Sequence, residues 1–236
     1  MDELRNIVIL TGAGISAESG IDTFRDEGGL WEQHAIEDVA TPEGFARDPD
    51  LVLQFYDARR AVVQTKQPNA AHHALARLDR AWMADRGELL IVTQNVDDLH
   101  ERAGAERILH MHGELLSALC SQCGARMPWN APMIDRPACP KCGKRTLRPD
   151  VVWFGEMPYQ MDRIYAALRD ADLFVSIGTS GAVYPAAGFV EEARAMGAHT
   201  LELNLEASEG SHRFHESRMG SAGALVPEWV DGLLAD

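Results

Sequence analysis

Residues 11–25 read TGAGISAESGIDTFR and directly follow the apolar run IVIL at residues 7–10. Gly12, Gly14 and Ala17 fit the pattern G-x-G-x-x-G/A, in which glycines let backbone N–H groups approach a pyrophosphate. A helix that begins after such a turn would hold the phosphates at its N-terminus. On the pattern alone, a nucleotide site and a tight turn that only packs a strand against a helix are equally supported.

The sequence after this turn departs from an ordinary dinucleotide-binding unit. Such a unit continues into a second strand that ends in an acidic residue about 20 positions on. Residues 22–31 read DTFRDEGGLW instead, a polar and glycine-rich segment that predicts a loop over a ligand. A candidate contact for a ribose or an adenine comes much later, at Asn204-Leu205-Glu206.

Strand-like and helix-like segments alternate along the chain. Apolar runs predict strands at 6–10, 89–93, 172–177 and 200–203, and periodicity predicts helices at 50–64, 69–84, 160–169 and 185–196. Asn69 is expected to cap the second helix, and Pro185 to open the last. We therefore expect an α/β fold with a Rossmann-like, doubly wound and mostly parallel sheet. Polar loops after three strands would meet at its carboxyl edge, where open sheets bind ligands.

The composition is that of a globular chain with an acidic balance. Of its 236 residues, 46% are hydrophobic and 25% are charged, and the formal net charge is −14. This charge disfavours general binding to nucleic acid phosphates or to an anionic membrane surface. No apolar run approaches the roughly 18 residues of a membrane-spanning helix, and residues 1–3 lack the basic start of a secretory signal. We expect a cytoplasmic location.

All four cysteines lie in residues 115–150, a segment that differs from the rest of the chain because it has five prolines and little hydrophobic periodicity. They form two C-x-x-C pairs with fifteen residues between them: Cys120, Cys123, Cys139 and Cys142. This spacing indicates a tetrahedral metal site rather than disulfides. Six basic residues against two acidic ones in this segment would offset the charge of four thiolates around Zn²⁺. Four reduced thiols without a metal are the alternative.

Two polar stretches lie in the middle of the chain. TQNVDDLH at residues 93–100 begins where a predicted strand ends, and its amides and carboxylates could orient ribose hydroxyls and a carboxamide. Alternatively, Asp97 or Asp98 is simply the N-cap of a helix. HMHGE at residues 110–114 would place His110 and His112 on one face of an extended strand. A general base, a metal pair and structural histidines are all compatible with this spacing.

Taken in order, these motifs resemble the sirtuins, the NAD-dependent protein deacylases. The motifs are GAGISAESGIDTFR, TQNVDDLH, HMHGEL, the paired C-x-x-C, FGE at 154–156, GTSGAVYP and NLE. HERAG at 100–104 and TSGAVYPAAGF make the chain similar to the CobB-type bacterial sirtuins. The resemblance implies a Rossmann-like NAD-binding domain of residues 1–114 and 151–236 with a small zinc-ribbon module, residues 115–150, inserted. It also implies a helical segment for cofactor and substrate at about 24–66.

The resemblance assigns roles to individual residues. His112 matches the catalytic base, assisted by Asn95, whereas His110 matches no catalytic position. Ala222 is assigned to a C-terminal loop at the adenosine end. The residues implied to bind NAD are Gly12, Ala13, Gly14, Ser16, Phe24, Arg25, Gln94, Asn95, Asp97, Gly178, Thr179, Ser180, Asn204, Leu205, Glu206 and Ala222. Cys120, Cys123, Cys139 and Cys142 would bind one structural Zn²⁺, and a substrate peptide would add as a strand along Val151, Trp153, Phe154 and Gly155.

The resemblance also implies the reaction. In sirtuins the carbonyl oxygen of the acyl-lysine attacks the ribose carbon that bears nicotinamide, and a neutral histidine then removes a proton from a ribose hydroxyl. The products are nicotinamide, free lysine and an acyl-ADP-ribose. NAD is therefore expected to be consumed as a co-substrate, without hydride transfer.

Tyr56 and Arg59 bear on which acyl group is removed. They are three residues apart on a predicted helix and therefore share a face. On spacing alone, the better interpretation is a tyrosine at the edge of the core beside a solvated arginine. The resemblance favours another role, since Tyr-x-x-Arg is similar to the acidic-acyl pair of the desuccinylase subgroup (class III). A phenol and a guanidinium suit a terminal carboxylate. Ala40 matches a position where a small side chain leaves room for a longer acyl chain.

We therefore expect an NAD-dependent deacylase that removes acetyl, succinyl and malonyl groups from lysine. A protein ADP-ribosyltransferase would use the same NAD pocket, and a non-enzymatic NAD or zinc binding module is a further alternative. Expected partners are acyl-lysine proteins or peptides, with no specific nucleic acid and no membrane, and we expect a monomer.

Overall fold

The computed structural model describes residues 4–21, 34–83 and 87–235. Its strands, numbered along the chain, are β1 (Ile7–Thr11), β2 (Leu89–Thr93), β3 (Ile108–His110), β4 (Gly113–Cys120), β5 (Arg126–Pro128), β6 (Leu147–Val151), β7 (Leu173–Ile177), β8 (His199–Asn204) and β9 (Glu216–Met219). Six of them form a sheet in the order β3-β2-β1-β7-β8-β9, in which every neighbouring pair is parallel. The order reverses between β1 and β7, which makes the carboxyl ends of these two strands the ligand-binding crevice of an open sheet.

Helices lie on both faces of this sheet. They are α1 (Ile36–Val39), α2 (Pro42–Arg47), α3 (Pro49–Thr65), α4 (Ala70–Met83), α5 (Leu99–Arg102), α6 (Met161–Asp170), α7 (Phe189–Ala195) and α8 (Ala222–Ala235). Among the described residues, none of these helices has the length and apolar composition needed to cross a bilayer.

The central strands are buried on both faces, as expected of a doubly wound sheet. Ile7 and Ile9 of β1 point to one side and pack in a cluster with α4 and α8. Val8 and Leu10 alternate to the other side, where they pack with α6 and α7. The predicted α/β fold with a parallel sheet is therefore confirmed.

A second, antiparallel sheet carries the cysteine pairs. Its order is β5-β4-β6, and the register of β4 against β6 shifts between Glu114 and Ala118. β4 starts next to His112 and ends at Cys120, so this strand joins the carboxyl edge of the large sheet to the cysteine cluster. Cys120 therefore follows His112 by eight residues, along the whole length of β4.

Most predicted elements agree with the observed bounds to within two residues, but two details were wrong. The helix expected at 185–196 starts as a 3₁₀ turn, Ala186–Gly188, because Gly188 donates to the carbonyl of Pro185 three residues back. The first glycine-rich turn opens no α-helix either. Two 3₁₀ turns, Ala13–Ile15 and Ala17–Ser19, follow β1, and Asn69 Nδ2 takes the carbonyl of Ile15 that an α-helix would use.

The turn after β1 lies directly against the turn after β7. Gly14 donates its N–H to the carbonyl of Gly178 at 2.9 Å, and a Cβ built on Gly14 would lie 2.7 Å from the Cα of Gly178. A Cβ on Gly12 would lie equally close to the carbonyl oxygen of Gly178. Only glycine allows this approach, because the obstacle is backbone and cannot rotate away.

We predict that Gly14→Ala destabilises the protein by about 1–3 kcal/mol, since the added methyl group overpacks against the backbone of Gly178. Gly232→Ala is the matched control: Gly232 is exposed on α8, a methyl group added there would meet no atom within 4 Å, and alanine should stabilise by roughly 0.5–1 kcal/mol. Thermal unfolding of both variants tests the pair. Equal melting temperatures would contradict the close contact.

Candidate active site

The carboxyl ends of β1 and β2 meet in a buried polar network. The side-chain amide of Asn95 donates to the carbonyl of Gly12 at 3.1 Å and to Ser16 Oγ at 3.2 Å. Ser16 Oγ in turn donates to Asp97 Oδ2 at 3.1 Å. Ser16, Asn95 and Asp97 are all buried. Three of the residues predicted to bind NAD are therefore linked side chain to side chain.

Asp97 combines the two roles that the sequence left open. Its Oδ1 accepts from the backbone N–H of Leu99, the first residue of α5, although the N-cap position itself is occupied by Asp98, whose side chain makes no capping bond. Its Oδ2 faces Ser16 at the crevice. Burial raises the pKa of Asp97, and the hydrogen bonds from Leu99 and Ser16 oppose that shift. A buried carboxylate held this way can accept a further donor, such as a carboxamide N–H.

Two histidines behind this network were not identified from the sequence. His72 Nδ1 accepts from the backbone N–H of Asn69, so Nε2 carries the proton and points to Ser16 Oγ at 3.4 Å. His100 Nε2 lies 3.0 Å from Thr11 Oγ1. Burial lowers the pKa of His72 to about 4 and that of His100 well below 6.5, so both rings are neutral. Each lies on a helix face that sequence periodicity marks only as core.

His110 is a cation, and both of its N–H groups donate hydrogen bonds to acceptors within the protein. Its Nδ1 lies 3.1 Å from the carbonyl of Asn95, and its Nε2 lies 2.7 Å from Glu101 Oε1. Burial would lower the pKa of His110, but the hydrogen bond and the charge of Glu101 raise it to about 9. His110 therefore supports the backbone of Asn95 and has no free lone pair to act as a base.

His112 has the opposite state, although it is only two residues away. It lies in the turn between β3 and β4, and its Nδ1 is 3.2 Å from the carbonyl of Gln94. Because a carbonyl only accepts, Nδ1 carries the proton and Nε2 has a lone pair. Burial lowers the pKa of His112, and the bond to Gln94 offsets this only partly. His112 is thus a neutral base at physiological pH.

The residues expected at the adenosine end lie on the loops after β7 and β8. Asn204 Nδ2 donates to the carbonyl of Thr179 at 2.7 Å and so ties the two loops together. Gly178 and Ser180 flank Thr179, and Leu205 and Glu206 follow Asn204, with Leu205 69% exposed. Ala222 does not lie in a loop as expected but opens α8.

Two glutamates that the sequence did not single out fix these loops. Glu18 Oε1 accepts from the N–H of Gly223 at 2.8 Å, which joins the turn after β1 to the first turn of α8. Glu202 is buried in β8 and accepts from Ser211, Ser217 and the N–H of Ser208. Both contacts link residues whose pairing only the fold reveals. Phe24 and Arg25, which were predicted to contact NAD, lie outside the described residues.

A second group of candidate residues lies between α3 and the end of β6. Ala40, Tyr56, Val151 and Trp153 pack in one buried cluster. The N–H of Phe154 donates to the carbonyl of Ala40 at 2.9 Å, and that of Val152 donates to the carbonyl of His112 at 2.8 Å. The extended segment after β6 is thereby held beside His112. Phe154 is 46% exposed, and Gly155, with φ 90°, turns the chain away.

Tyr56 and Arg59 lie next to each other beside this cluster. The guanidinium carbon of Arg59 is 5.7 Å from the centre of the Tyr56 ring and 5.6 Å from that of Phe55. Burial raises the pKa of Tyr56, although the charge of Arg59 opposes this shift, so the phenol keeps its proton. Burial lowers the pKa of Arg59, while Tyr56 and Asp97 raise it. Arg59 therefore interacts electrostatically with this cluster, through Tyr56, and with the polar network of the crevice, through Asp97.

The four cysteines form a compact cluster. Sγ of Cys120 is 3.7 Å from that of Cys142, Sγ of Cys123 is 3.8 Å from that of Cys139, and all four lie within 4.8 Å of one another. Four sulfurs at about 2.3 Å from a tetrahedral Zn²⁺ are about 3.8 Å apart, so this donor set fits a structural zinc ion. Each C-x-x-C pair is followed by a glycine of positive φ, Gly124 or Gly143, which closes the turn onto the first cysteine.

We predict that Cys139→Ser abolishes stoichiometric zinc and lowers the melting temperature by about 10 °C, since zinc binding free energy stabilises a small module directly. Metal analysis by mass spectrometry and thermal unfolding measure both effects. Gln122→Ala, an exposed change between two of the cysteines, is the control and should retain zinc. A variant without Cys139 that kept its zinc and its stability would contradict the four-thiolate site.

We predict opposite titrations for the two neighbouring histidines. His110 should remain protonated up to about pH 9, and His112 should stay a neutral Nδ1–H tautomer down to below pH 6.5. Because the folded pKa of His110 exceeds its unfolded value, its stabilisation is complete below about pH 6.5 and is lost as the pH rises through about 9.

Nitrogen-15 NMR of labelled histidines measures both titrations, with His110→Gln and His112→Gln to assign the signals. A His112 ring that charged at or above pH 6.5 would contradict the buried neutral base.

Comparisons with known proteins identify the family of this chain. The family model described as the Sir2 family matches residues 12–185. A protein named NAD-dependent protein deacylase from Salmonella typhimurium is 58% identical over 99% of this chain and 86% of its own. A solved complex of a Sir2 homologue with NAD is 39% identical, with a TM-score of 0.89 over 98% of this chain and 90% of that one. A Sir2 mutant with a deacetylated p53 peptide and 3'-O-acetyl ADP-ribose is 26% identical, with a TM-score of 0.82 over 99% and 94%. This chain belongs to the Sir2 family.

Proposed function

We propose that this protein is an NAD-dependent protein-lysine deacylase that removes acetyl, succinyl and malonyl groups and releases nicotinamide, free lysine and an acyl-ADP-ribose. The observation that carries the proposal is the position of Tyr56 and Arg59 side by side, close to the segment that is hydrogen-bonded to His112. A phenol and a guanidinium suit an acyl chain that ends in a carboxylate, and we call the proposed binding place for that chain, between Ala40 and Tyr56, the acyl cleft.

NAD would bind along the crevice between β1 and β7. Backbone N–H groups of Ala13 and the turn around it would face the pyrophosphate, and Gly178, Thr179, Ser180, Asn204, Leu205 and Glu206 would hold the adenosine half. Ser16, Gln94, Asn95 and Asp97 would orient the nicotinamide ribose and the carboxamide. When bound, NAD supplies the ribose carbon that receives the acyl oxygen and the nicotinamide that leaves. Asn95 and Asp97, which are buried, would help to exclude water from that carbon.

His112 would act as the general base. Its free Nε2 accepts the proton of a ribose hydroxyl, while its Nδ1–H stays bound to the carbonyl of Gln94 and fixes the ring. The lowered pKa of His112 favours this role, because the ring enters the reaction uncharged. His110 contributes indirectly, by holding the backbone carbonyl of Asn95.

The substrate peptide would add as an extended strand along Val151, Trp153, Phe154 and Gly155, with its acyl-lysine entering the cleft between Ala40 and Tyr56. Main-chain pairing fixes the peptide without demanding a particular sequence. We further propose that residues 1–114 and 151–236 act as the NAD-binding domain and that residues 115–150 act as the zinc-binding module.

We predict that Tyr56→Phe combined with Arg59→Met lowers kcat/KM for a succinyl-lysine peptide by ~100-fold, since two hydrogen bonds to a carboxylate are lost. Acetyl-lysine offers no carboxylate, so kcat/KM for the same peptide carrying acetyl should fall far less. Mass spectrometry of both peptides, with and without NAD, measures the loss of each acyl group and the acyl-ADP-ribose formed.

Two outcomes would contradict the proposal. Equal losses on both peptides would remove the acyl selectivity assigned to Tyr56 and Arg59 but leave a deacylase. No NAD-dependent loss from either peptide with the unaltered enzyme, together with transfer of labelled ADP-ribose to protein, would replace deacylation by ADP-ribosyl transfer. Arg47→Met, an exposed arginine paired with Asp38, is the control for loss of a positive charge.

A further inference from the structure

The phenol of Tyr56 accepts a hydrogen bond from an unexpected partner. The indole Nε1–H of Trp153 donates to Tyr56 Oη at 3.0 Å, and both side chains are buried. Trp153 was expected only to contribute to the peptide edge. Its side chain turns instead toward α3, so one residue belongs both to the segment that receives the peptide and to the wall of the acyl cleft.

Contacts with neighbouring side chains hold the Trp153 indole in one orientation. The guanidinium carbon of Arg148 lies 3.9 Å from the centre of the Trp153 ring, and the Phe45 ring lies 5.1 Å away. Glu156 accepts from Arg148 at 2.9 Å and from the backbone N–H of Trp153 at 2.9 Å. These contacts restrict both the ring and its backbone, so the direction of the N–H is set before any ligand binds.

The bond from Trp153 decides what the phenol can offer to a ligand. A phenol has one proton to donate, and burial raises the pKa of Tyr56, so that proton is retained. The indole occupies an acceptor position of the oxygen, which leaves Tyr56 to act as a donor. Within residues 4–21, 34–83 and 87–235, the hydrogen bond of the phenol is the one it accepts from Trp153. A carboxylate, which only accepts, complements this arrangement.

We propose that Trp153 is a positioning residue for acidic acyl groups: its indole N–H fixes the Tyr56 phenol so that the hydroxyl proton is donated to the terminal carboxylate of the acyl chain. This inference rests on the proposed function, since it requires that Tyr56 and Arg59 bind that carboxylate. Arg59, on the next turn of α3, would supply the positive charge for the other carboxylate oxygen.

The test is a double-substitution cycle on acyl selectivity. The quantity measured is the ratio of kcat/KM for a succinyl-lysine peptide to kcat/KM for the same peptide with acetyl-lysine. Trp153→Phe, which removes the N–H and keeps an aromatic ring, should lower this ratio about fivefold, the effect of one neutral hydrogen bond. In a Tyr56→Phe background the same substitution should leave the ratio unchanged, because no hydroxyl remains to be oriented.

The loss should appear in KM for the succinyl peptide rather than in kcat, because the carboxylate is remote from the reacting atoms. Trp129→Phe is the matched control: its Nε1 is buried without a hydrogen-bond partner among the described residues, so the same change there should not alter the ratio. If a thermal unfolding measurement shows that Trp153→Phe is not folded, a chain with 3-benzothienylalanine in place of Trp153 is used instead. This residue keeps the shape of the ring and removes only the N–H.

The outcomes separate this inference from the proposed function. An unchanged ratio in Trp153→Phe, with a lowered ratio in Tyr56→Phe, would overturn the inference and leave the acyl pocket. An equal fall in both backgrounds would also overturn it, because Trp153 would then act through the shape of the cleft. A Tyr56→Phe variant with an unchanged ratio would overturn the acidic-acyl pocket itself.

Discussion

The backbone contact between the turn after β1 and the turn after β7 is the constraint on which the site depends. Gly14 N–H meets the carbonyl of Gly178, and no side chain separates the two turns. This contact brings two strand ends together at the point where the sheet order reverses. It also leaves the carbonyl of Gly12 available for Asn95, and so connects the turn after β1 to the polar network that follows β2.

The charge states of the site follow from what each buried group can pair with. His110 is protonated because Glu101 and the carbonyl of Asn95 accept from its two N–H groups. Within the part of the chain that the structure describes, His112 has the carbonyl of Gln94 on one side and no carboxylate partner, and burial then favours the neutral ring. Two histidines only two residues apart thus become a structural cation and a neutral ring with a lone pair on Nε2, and Glu101 on α5 makes the difference.

Four strands of the large sheet, β1, β2, β7 and β8, the cysteine site and four helices, α3, α4, α6 and α7, could be predicted because their signals are local. Runs of apolar residues define β1 and β2, and Cys120 and Cys123 define half a metal site by spacing alone. The contacts of His72 with Ser16 and of Glu18 with Gly223 could not be predicted, since they join residues far apart in sequence. The 3₁₀ turn at Ala13–Ile15 escaped prediction for the same reason: Asn69, on another element, captures the carbonyl that would have continued a helix.

Helix α3 joins the cysteine module to the proposed acyl cleft. One face carries Tyr56 and Arg59, and the next carries Asp57, which accepts from the backbone N–H groups of Met133 and Ile134.

Arg60 extends that second face. It pairs with Asp57 at 2.5 Å and donates to the carbonyl of Leu115 on β4 at 2.8 Å. Leu53, two turns earlier on α3, packs among the cysteines themselves. The module that the cysteines organise therefore fixes the rotation of α3 about its axis. A zinc site at the opposite end of β4 from His112 can thus matter to the proposed acyl recognition without approaching the chemistry, because it supports the helix that presents Tyr56 to Trp153.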